Sequence, residues 1–193
     1  QSGRGESIFF VHKDLKCVLK HYFRGGIFGR YVSDRYIWTG IDGSRPIREY
    51  KRLYELYLMG LPVPKPVGAR VKKSCLTYTA DLISIEIENS KTLSELIREG
   101  DVDKNIWKAI GQCLHLFIQK EVYHPDLNTS NILIDNELKV YLIDFDSASR
   151  LHQKMASKKS TLNRFRRSLE KTYQNNDKDF SDIDWDNILS YCS

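Results

Sequence analysis

His124-Pro-Asp-Leu-Asn-Thr-Ser-Asn131 and, a short hairpin later, Leu142-Ile-Asp-Phe-Asp146 are the stretches whose reading decides this fold. Phosphoryl transfer needs a carboxylate to orient and deprotonate an attacking hydroxyl, and oxygen ligands for magnesium. The HxDxxxxN spacing supplies both on one loop, with Asp126 as base and Asn131 as a metal ligand. The apolar runs Ile132-Leu-Ile134 and Val140-Tyr-Leu-Ile143 predict two short strands either side of an Asp135-Asn136 turn. That hairpin returns the chain so that a second carboxylate, Asp144, faces the same metals, with Phe145 as a packing residue. A single Asp or Asn is usually an ordinary turn former. The joint pattern, with a strand hairpin between its halves, is what points to phosphoryl transfer.

Upstream, Ser7–His12 and Leu15–Tyr22 are rich in Ile, Phe, Val and Tyr and predict a hairpin turning at Lys13-Asp14, the second strand closed by Gly25-Gly26. Lys20 on that second strand occupies the place where kinase-like enzymes carry the lysine that holds the α- and β-phosphates. Its partner should be a helix glutamate. Ser44 as N-cap, Pro46 in the first turn and Gly60 past the end frame such a helix. Ile47, Tyr50, Leu53, Tyr54, Tyr57, Leu58 and Leu61 recur there at helical spacing and predict one buried face. Two glutamates offer themselves. Glu55 has Lys51 and Arg52 as ordinary surface partners, whereas Glu49 borders the buried stripe and is preferred. Gly3 and Gly5 would let backbone approach phosphates, although a lone GxG at a chain end equally suits a frayed tail.

The prolines of Leu61–Pro66 lead into a predicted hairpin of strands, Val67–Lys72 and Cys75–Ile83. Beyond it the character turns helical. Thr92-Leu-Ser-Glu95 is a capping-box pattern opening a helix that ends at Gly100. Asp103–Lys120 follows with Ile106, Trp107, Ile110, Cys113, Leu114, Phe117 and Ile118 on one stripe. An amphipathic helix is predicted around Ser160–Tyr173 (Leu162, Phe165, Leu169, Tyr173), then a short acidic-aromatic segment, Asp182–Tyr191. The expectation is an α+β, two-lobed fold: a small antiparallel-sheet N-lobe over 1–83, a hinge at 84–90, and a short, mainly helical C-lobe over 91–193.

Composition narrows the classes. The 193 residues are 41% hydrophobic and 28% charged, globular values that exclude dominant disorder. Mean hydropathy is −0.46, and no stretch approaches the ~18 apolar residues of a membrane span. Four scattered cysteines without a CxxC pair exclude a disulfide scaffold or zinc finger and fit a reducing compartment. The net charge of +5 favours anionic partners. Arg150 to Lys171 concentrates it, with eight Lys/Arg against Glu170 alone.

With those residues in hand, the sequence resembles the protein-kinase-like superfamily, most closely the 3-deoxy-D-manno-octulosonate (Kdo) kinases of Gram-negative bacteria. Val18-Leu-Lys-His-Tyr-Phe-Arg-Gly-Gly26, Asp34-Arg-Tyr-Ile-Trp-Thr-Gly40, Leu61-Pro-Val-Pro-Lys-Pro-Val67, the His124–Asn131 loop and Leu142-Ile-Asp-Phe-Asp146 carry the likeness. The DRYxWTG and DFD elements are its more specific parts. The resemblance implies a phosphotransferase acting on an alcohol group: ATP- and Mg²⁺-dependent phosphorylation of the Kdo 4-hydroxyl on a lipid A precursor. It also implies work at the cytoplasmic face of the inner membrane, during lipopolysaccharide core assembly, as a peripheral protein without nucleic-acid partners. Asp126 would be the base, Asn131 and Asp144 the metal ligands, Lys20 the phosphate lysine and Glu49 its partner. Pro125 and Asp146 depart from the protein-kinase pattern, and Asp146 in place of glycine disfavours a flipping switch loop.

The family's first strand should precede Gly3, so residues are expected before Gln1. Only 47 residues follow Asp146, too few for a peptide-binding groove of the protein-kinase sort, which favours a small-molecule or glycolipid acceptor. The competing expectations are a minimal atypical protein kinase, a soluble sugar or amine kinase, and a pseudokinase that binds nucleotide without turnover. The basic segment Arg150–Lys171 is expected to meet the anionic acceptor or membrane, with Arg164, Arg166, Arg167 and Lys171 near each other on the helix's polar side.

Overall fold

The computed structural model describes residues 7–23, 34–100, 102–146 and 157–192. Gly3 and Gly5, Gly25-Gly26, Arg150 and Lys154 lie outside the described residues. The chain divides into two units: Gln1–Met59 with Pro64–Glu86, and Gly60–Val63 with Ile87–Ser193.

Among the described residues the first unit is an antiparallel sheet with one helix, an α+β arrangement. Strands β1 (Ser7–His12) and β2 (Leu15–His21) form a hairpin. Its two turn residues, Lys13 (φ 46°) and Asp14 (φ 65°), both sit in the left-handed region that a tight two-residue hairpin demands. Strands β3 (Tyr36–Ile37), β4 (Pro66–Ser74) and β5 (Thr77–Ile85) complete the sheet. β5 is its spine: β4 runs along one edge, while β2 and β3 share the other, β2 opposite Asp81–Ile85 and β3 opposite Thr77 and Tyr78. Tyr22 N–H donates to Ala80 O at 3.1 Å and carries the β2 ladder one residue further. The β4–β5 turn lies at Cys75 (φ 53°) and Leu76, so the second strand starts two residues later than periodicity implies.

Helix α1 (Arg45–Leu58) packs on β4 and β5. Its buried stripe differs from the one predicted. Pro46, Glu49, Leu53 and Leu56 are inside, whereas Tyr54, Tyr57 and Leu58 are exposed. Counting apolar side chains misplaced the face because a carboxylate sits at its centre and aromatic rings tolerate a wet flank. Ser44 holds the N-cap position, but its hydroxyl donates back to Ile41 O at 2.6 Å instead of capping α1. Gly60 follows the helix with φ +74°, the left-handed turn that ends it.

The second unit is helical around a three-stranded sheet, β6 (Ser90–Thr92), β7 (Ile132–Asp135) and β8 (Val140–Leu142), in that order. Helix α2 (Leu93–Glu99) opens on the capping box: Glu95 N–H donates to Thr92 Oγ1, and Thr92 N–H to the Glu95 carboxylate at 2.8 Å. Helix α3 (Lys104–Gln119) is capped by Asp103 and buries Ile106, Trp107, Ile110, Cys113, Leu114 and Phe117. Helices α4 (Lys158–Gln174) and α5 (Asp182–Ser190) follow. The acidic-aromatic segment is thus a helix, buried through Trp185 and Ile188 and packed on α3. At that crossing Gly111 matters, since a Cβ there would stand 2.7 Å from Ile188 O and 2.8 Å from Tyr191 Cβ.

All four cysteines are free thiols. Burial pushes the Cys113 thiol up to about 12 and Cys192 up to about 11, so both stay protonated and inert at neutral pH. No described helix is long and apolar enough to cross a membrane.

Candidate active site

In the first unit, period-2 alternation puts Lys20 and Tyr22 on one face of the sheet, and α1 lays Glu49 against both. Lys20 Nζ stands 3.0 Å from Glu49 Oε2 and 3.1 Å from Oε1, and the Tyr22 hydroxyl donates to the same carboxylate. Glu49 is 2% exposed and Lys20 26%. A carboxylate buried this deeply is tolerable because three donor contacts replace its water. The other candidate, Glu55, lies on the exposed face with Arg52 at 3.4 Å. Tyr22 went unnoticed in the sequence, although Lys-His-Tyr on a strand places first and third residues together.

The opposite face of the same strands holds a second group that sequence reading missed. Asp81, 3% exposed, takes a bond from Arg70 Nε at 2.7 Å and lies 2.7 Å from His21 Nδ1. The register explains it, because His21, Asp81 and Arg70 stand in one row across β2, β5 and β4.

In the second unit the catalytic-type loop is built from the inside out. His124 is buried, its ring 4.4 Å from Phe145. Asp126 N–H donates to His124 Nδ1 at 3.1 Å, so Nε2 carries the ring proton and donates to Ile143 O at 2.9 Å. One imidazole thus ties the loop to the Asp-Phe-Asp strand end. Asn131 donates through Nδ2 to Asp126 O at 2.9 Å. Asn128 donates to that same oxygen at 3.1 Å and accepts from Ser130 N–H. The Asp126 carboxylate emerges from this held backbone, its side chain 62% exposed.

Asp144 is the residue after Asn131's partner in the ladder, where Ile143 N–H donates to Asn131 O at 3.0 Å just beyond the β7–β8 pairs. Asp144 is exposed and adopts φ 62°, a left-handed backbone uncommon outside glycine that is a recurrent feature of functional sites. Asn131 and Asp144 fit magnesium in kind, both offering hard oxygen. The Asn131 amide nitrogen is already engaged by Asp126 O, which leaves its carbonyl end as the ligating one.

The basic segment does not form the single-signed face expected. Arg164 Nη1 stands 3.0 Å from Asp126 Oδ1. Arg166 is held by Glu170 at 2.9 Å and Asp182 at 2.6 Å, its guanidinium over the Trp185 ring. Arg167 Nε donates to Asn163 O. Helical geometry turns Arg166, two residues on, about 200° away from Arg164 around α4, onto the flank where Glu170 and Asp182 neutralise it.

A loop that holds an exposed aspartate over an asparagine, joined through histidine to an Asp-Phe-Asp strand end, is the arrangement of a phosphotransferase. The sequence profile of the lipopolysaccharide kinase (Kdo/WaaP) family matches residues 1–191. The chain belongs to that family. It is 35% identical, over 97% of its length and 81% of the relative's, to a 3-deoxy-D-manno-octulosonic acid kinase of Haemophilus influenzae. It is 39% identical to the Vibrio parahaemolyticus enzyme of that name, over 88% of this chain and 71% of the relative. The Vibrio cholerae enzyme is 37% identical over 88% and 72%. Membership in a kinase family brings ATP with it as phosphoryl donor.

Proposed function

We propose that this protein phosphorylates the 4-hydroxyl of Kdo on a lipid A precursor, using ATP and Mg²⁺, in lipopolysaccharide core assembly. The observation that carries this reading is the exposed Asp126 carboxylate on a loop whose backbone is held by His124, Asn128 and Asn131, in a Kdo/WaaP family chain. Asp126 orients the acceptor hydroxyl and accepts its proton as the bond from that hydroxyl's oxygen to the γ-phosphorus forms and the bond from that phosphorus to the leaving ADP breaks. Lys20, steadied by Glu49 and Tyr22, presents a fixed ammonium to the nucleotide phosphates. Asn131 and Asp144 would hold Mg²⁺, which when bound neutralises charge on the phosphates.

Work at the cytoplasmic face of the inner membrane follows from a glycolipid acceptor, and the exposed Lys159, Arg167 and Lys171 on α4 suit an anionic surface. Charge-to-Gln replacement of these three should weaken binding to anionic vesicles at low salt and leave ATP binding unchanged. The deciding experiment is turnover of Mg-ATP with a Kdo–lipid A precursor. A phosphorylated glycolipid is expected. Transfer to a peptide in its place would support the minimal protein kinase, and nucleotide binding without any turnover the pseudokinase.

A further inference from the structure

An acid sugar brings its own carboxylate to the reaction, and something must receive it beside the reacting hydroxyl. The loop His124–Asn131 contains no lysine or arginine. Asn128, two residues after the base, is turned back into the loop, donating to Asp126 O and accepting from Ser130 N–H. The cation at this place comes from α4. Along one face of that helix, at positions 161, 164, 168 and 172, four side chains meet the loop in turn. Thr161 Oγ1 donates to His124 O at 3.3 Å, Arg164 Nη1 meets Asp126 Oδ1 at 3.0 Å, Ser168 Oγ accepts from Thr129 N–H at 3.0 Å, and Thr172 Oγ1 lies 2.8 Å from Thr129 Oγ1. Arg164 is therefore set against the base by a helix registered to the loop at three further points, although its side chain remains 44% exposed.

From this geometry we infer that Arg164 is the acceptor-binding residue that recognises the carboxylate of the acid sugar. The inference rests on the Kdo kinase reading given above. A guanidinium carries five N–H donors in a flat fork, and the contact with Asp126 uses one nitrogen. The other edge takes a second carboxylate in paired charge-assisted bonds, a geometry a lysine cannot reproduce. A hydroxyl within hydrogen-bond reach of Asp126 then carries the sugar's acid group onto Arg164. Arg164 then lies between two anions, the base and the acceptor, and aligns one with the other.

The test compares wild type, Arg164→Gln and Arg164→Lys on two acceptors, the Kdo–lipid A precursor and its carboxyl methyl ester, with KM for ATP measured alongside. Wild type should prefer the acid by about 10–100-fold in kcat/KM, the range of one charged hydrogen-bonding pair. Arg164→Gln should lose that preference, its acceptor KM rising far more on the acid than on the ester while ATP KM stays nearly unchanged, and Arg164→Lys should restore part of it. Equal losses of Arg164→Gln on acid and ester would overturn the inference, because Arg164 would then act only through Asp126. An undiminished acid preference in Arg164→Gln overturns it as well. A wild-type protein that phosphorylates neither acceptor overturns the Kdo kinase reading itself, and this inference with it. Thermal melting of the three proteins separates each of these results from misfolding.

Discussion

Two ion pairs in this protein have the same length and opposite characters. Lys20–Glu49 in the first unit and Arg164–Asp126 in the second each close at 3.0 Å. The first pair is 26% and 2% exposed, and the second 44% and 62%. Glu49 has exchanged water for Lys20 and Tyr22, so it has nowhere else to go and the lysine is held in one place. Asp126 and Arg164 both stay open to water, and a wet pair contributes only about 0–1 kcal/mol. Distance alone does not distinguish a fixed strut from a contact that a substrate can enter; burial does. A residue that must hold still for a nucleotide suits the first arrangement, and a base that must admit an acceptor suits the second.

The largest expected effect bears on the open pair. Asp126→Asn should cut phosphoryl transfer by about 10²–10⁴-fold, the scale of general-base loss, while thermal unfolding stays near wild type because little is buried there. Near-normal turnover in this variant would remove Asp126 from its role. Asp144→Ala should reduce transfer at least as much, read in the same assay across a magnesium titration.

Stability gives the sharper contrast between the pairs. Glu49→Ala should destabilise by on the order of 3 kcal/mol, the penalty for breaking a buried pair. Arg164→Ala should stay within about 1 kcal/mol. Denaturant unfolding of both variants measures this, and equal losses would erase the distinction. A Lys20/Glu49 double-mutant cycle should be non-additive in transfer rate.

A steric control comes next. Gly111→Ala touches neither pair, yet its methyl would meet Ile188 O at 2.7 Å. Helix propensity alone would make alanine the better residue by roughly 1 kcal/mol. The backbone clash should reverse that sign and cost about 1–3 kcal/mol in unfolding experiments.

The smallest effect is a pH dependence. The Thr92 backbone N–H, and next its hydroxyl, hold the Glu95 carboxyl below its ordinary value of 4.5. A depressed carboxylate contributes stability that is present above the unfolded value and lost as pH falls through the folded one. Wild type should therefore lose about 1 kcal/mol or less, the scale of a helix cap, on acidification below pH ~4.5. Glu95→Gln should flatten that part of the stability–pH curve, and an unchanged slope would show that the capping box does not titrate with folding.

Much of the fold was legible locally. The Lys13-Asp14 turn, the Thr92–Glu95 box and the 132–143 hairpin each announce themselves through a few neighbouring residues whose backbone preferences agree. Misreadings arose where burial had to be guessed from composition. Tyr54, Tyr57 and Leu58 were expected inside α1's face and are exposed, while α5 buries Trp185 and Ile188 from a stretch rich in aspartate. The three-residue strand β6 and the two-residue β3 are too short to carry a period at all.

The sequence by itself determined the chemistry on offer: an HxDxxxxN loop, an Asp-Phe-Asp strand end, a strand lysine, helix glutamates and a basic terminal helix, in that family's order. These are properties of residue type and short spacing, and no folding is needed to read them. Only the tertiary structure decided the pairings. It added the Tyr22 hydroxyl, 27 residues from Glu49, to the Lys20–Glu49 pair that the sequence already suggested, and it split three neighbouring arginines so that one reached Asp126 from 38 residues off. Such contacts arise where a helix comes to rest on a sheet or a loop. That placement is settled by the whole apolar interior at once, so no local pattern around either partner encodes it.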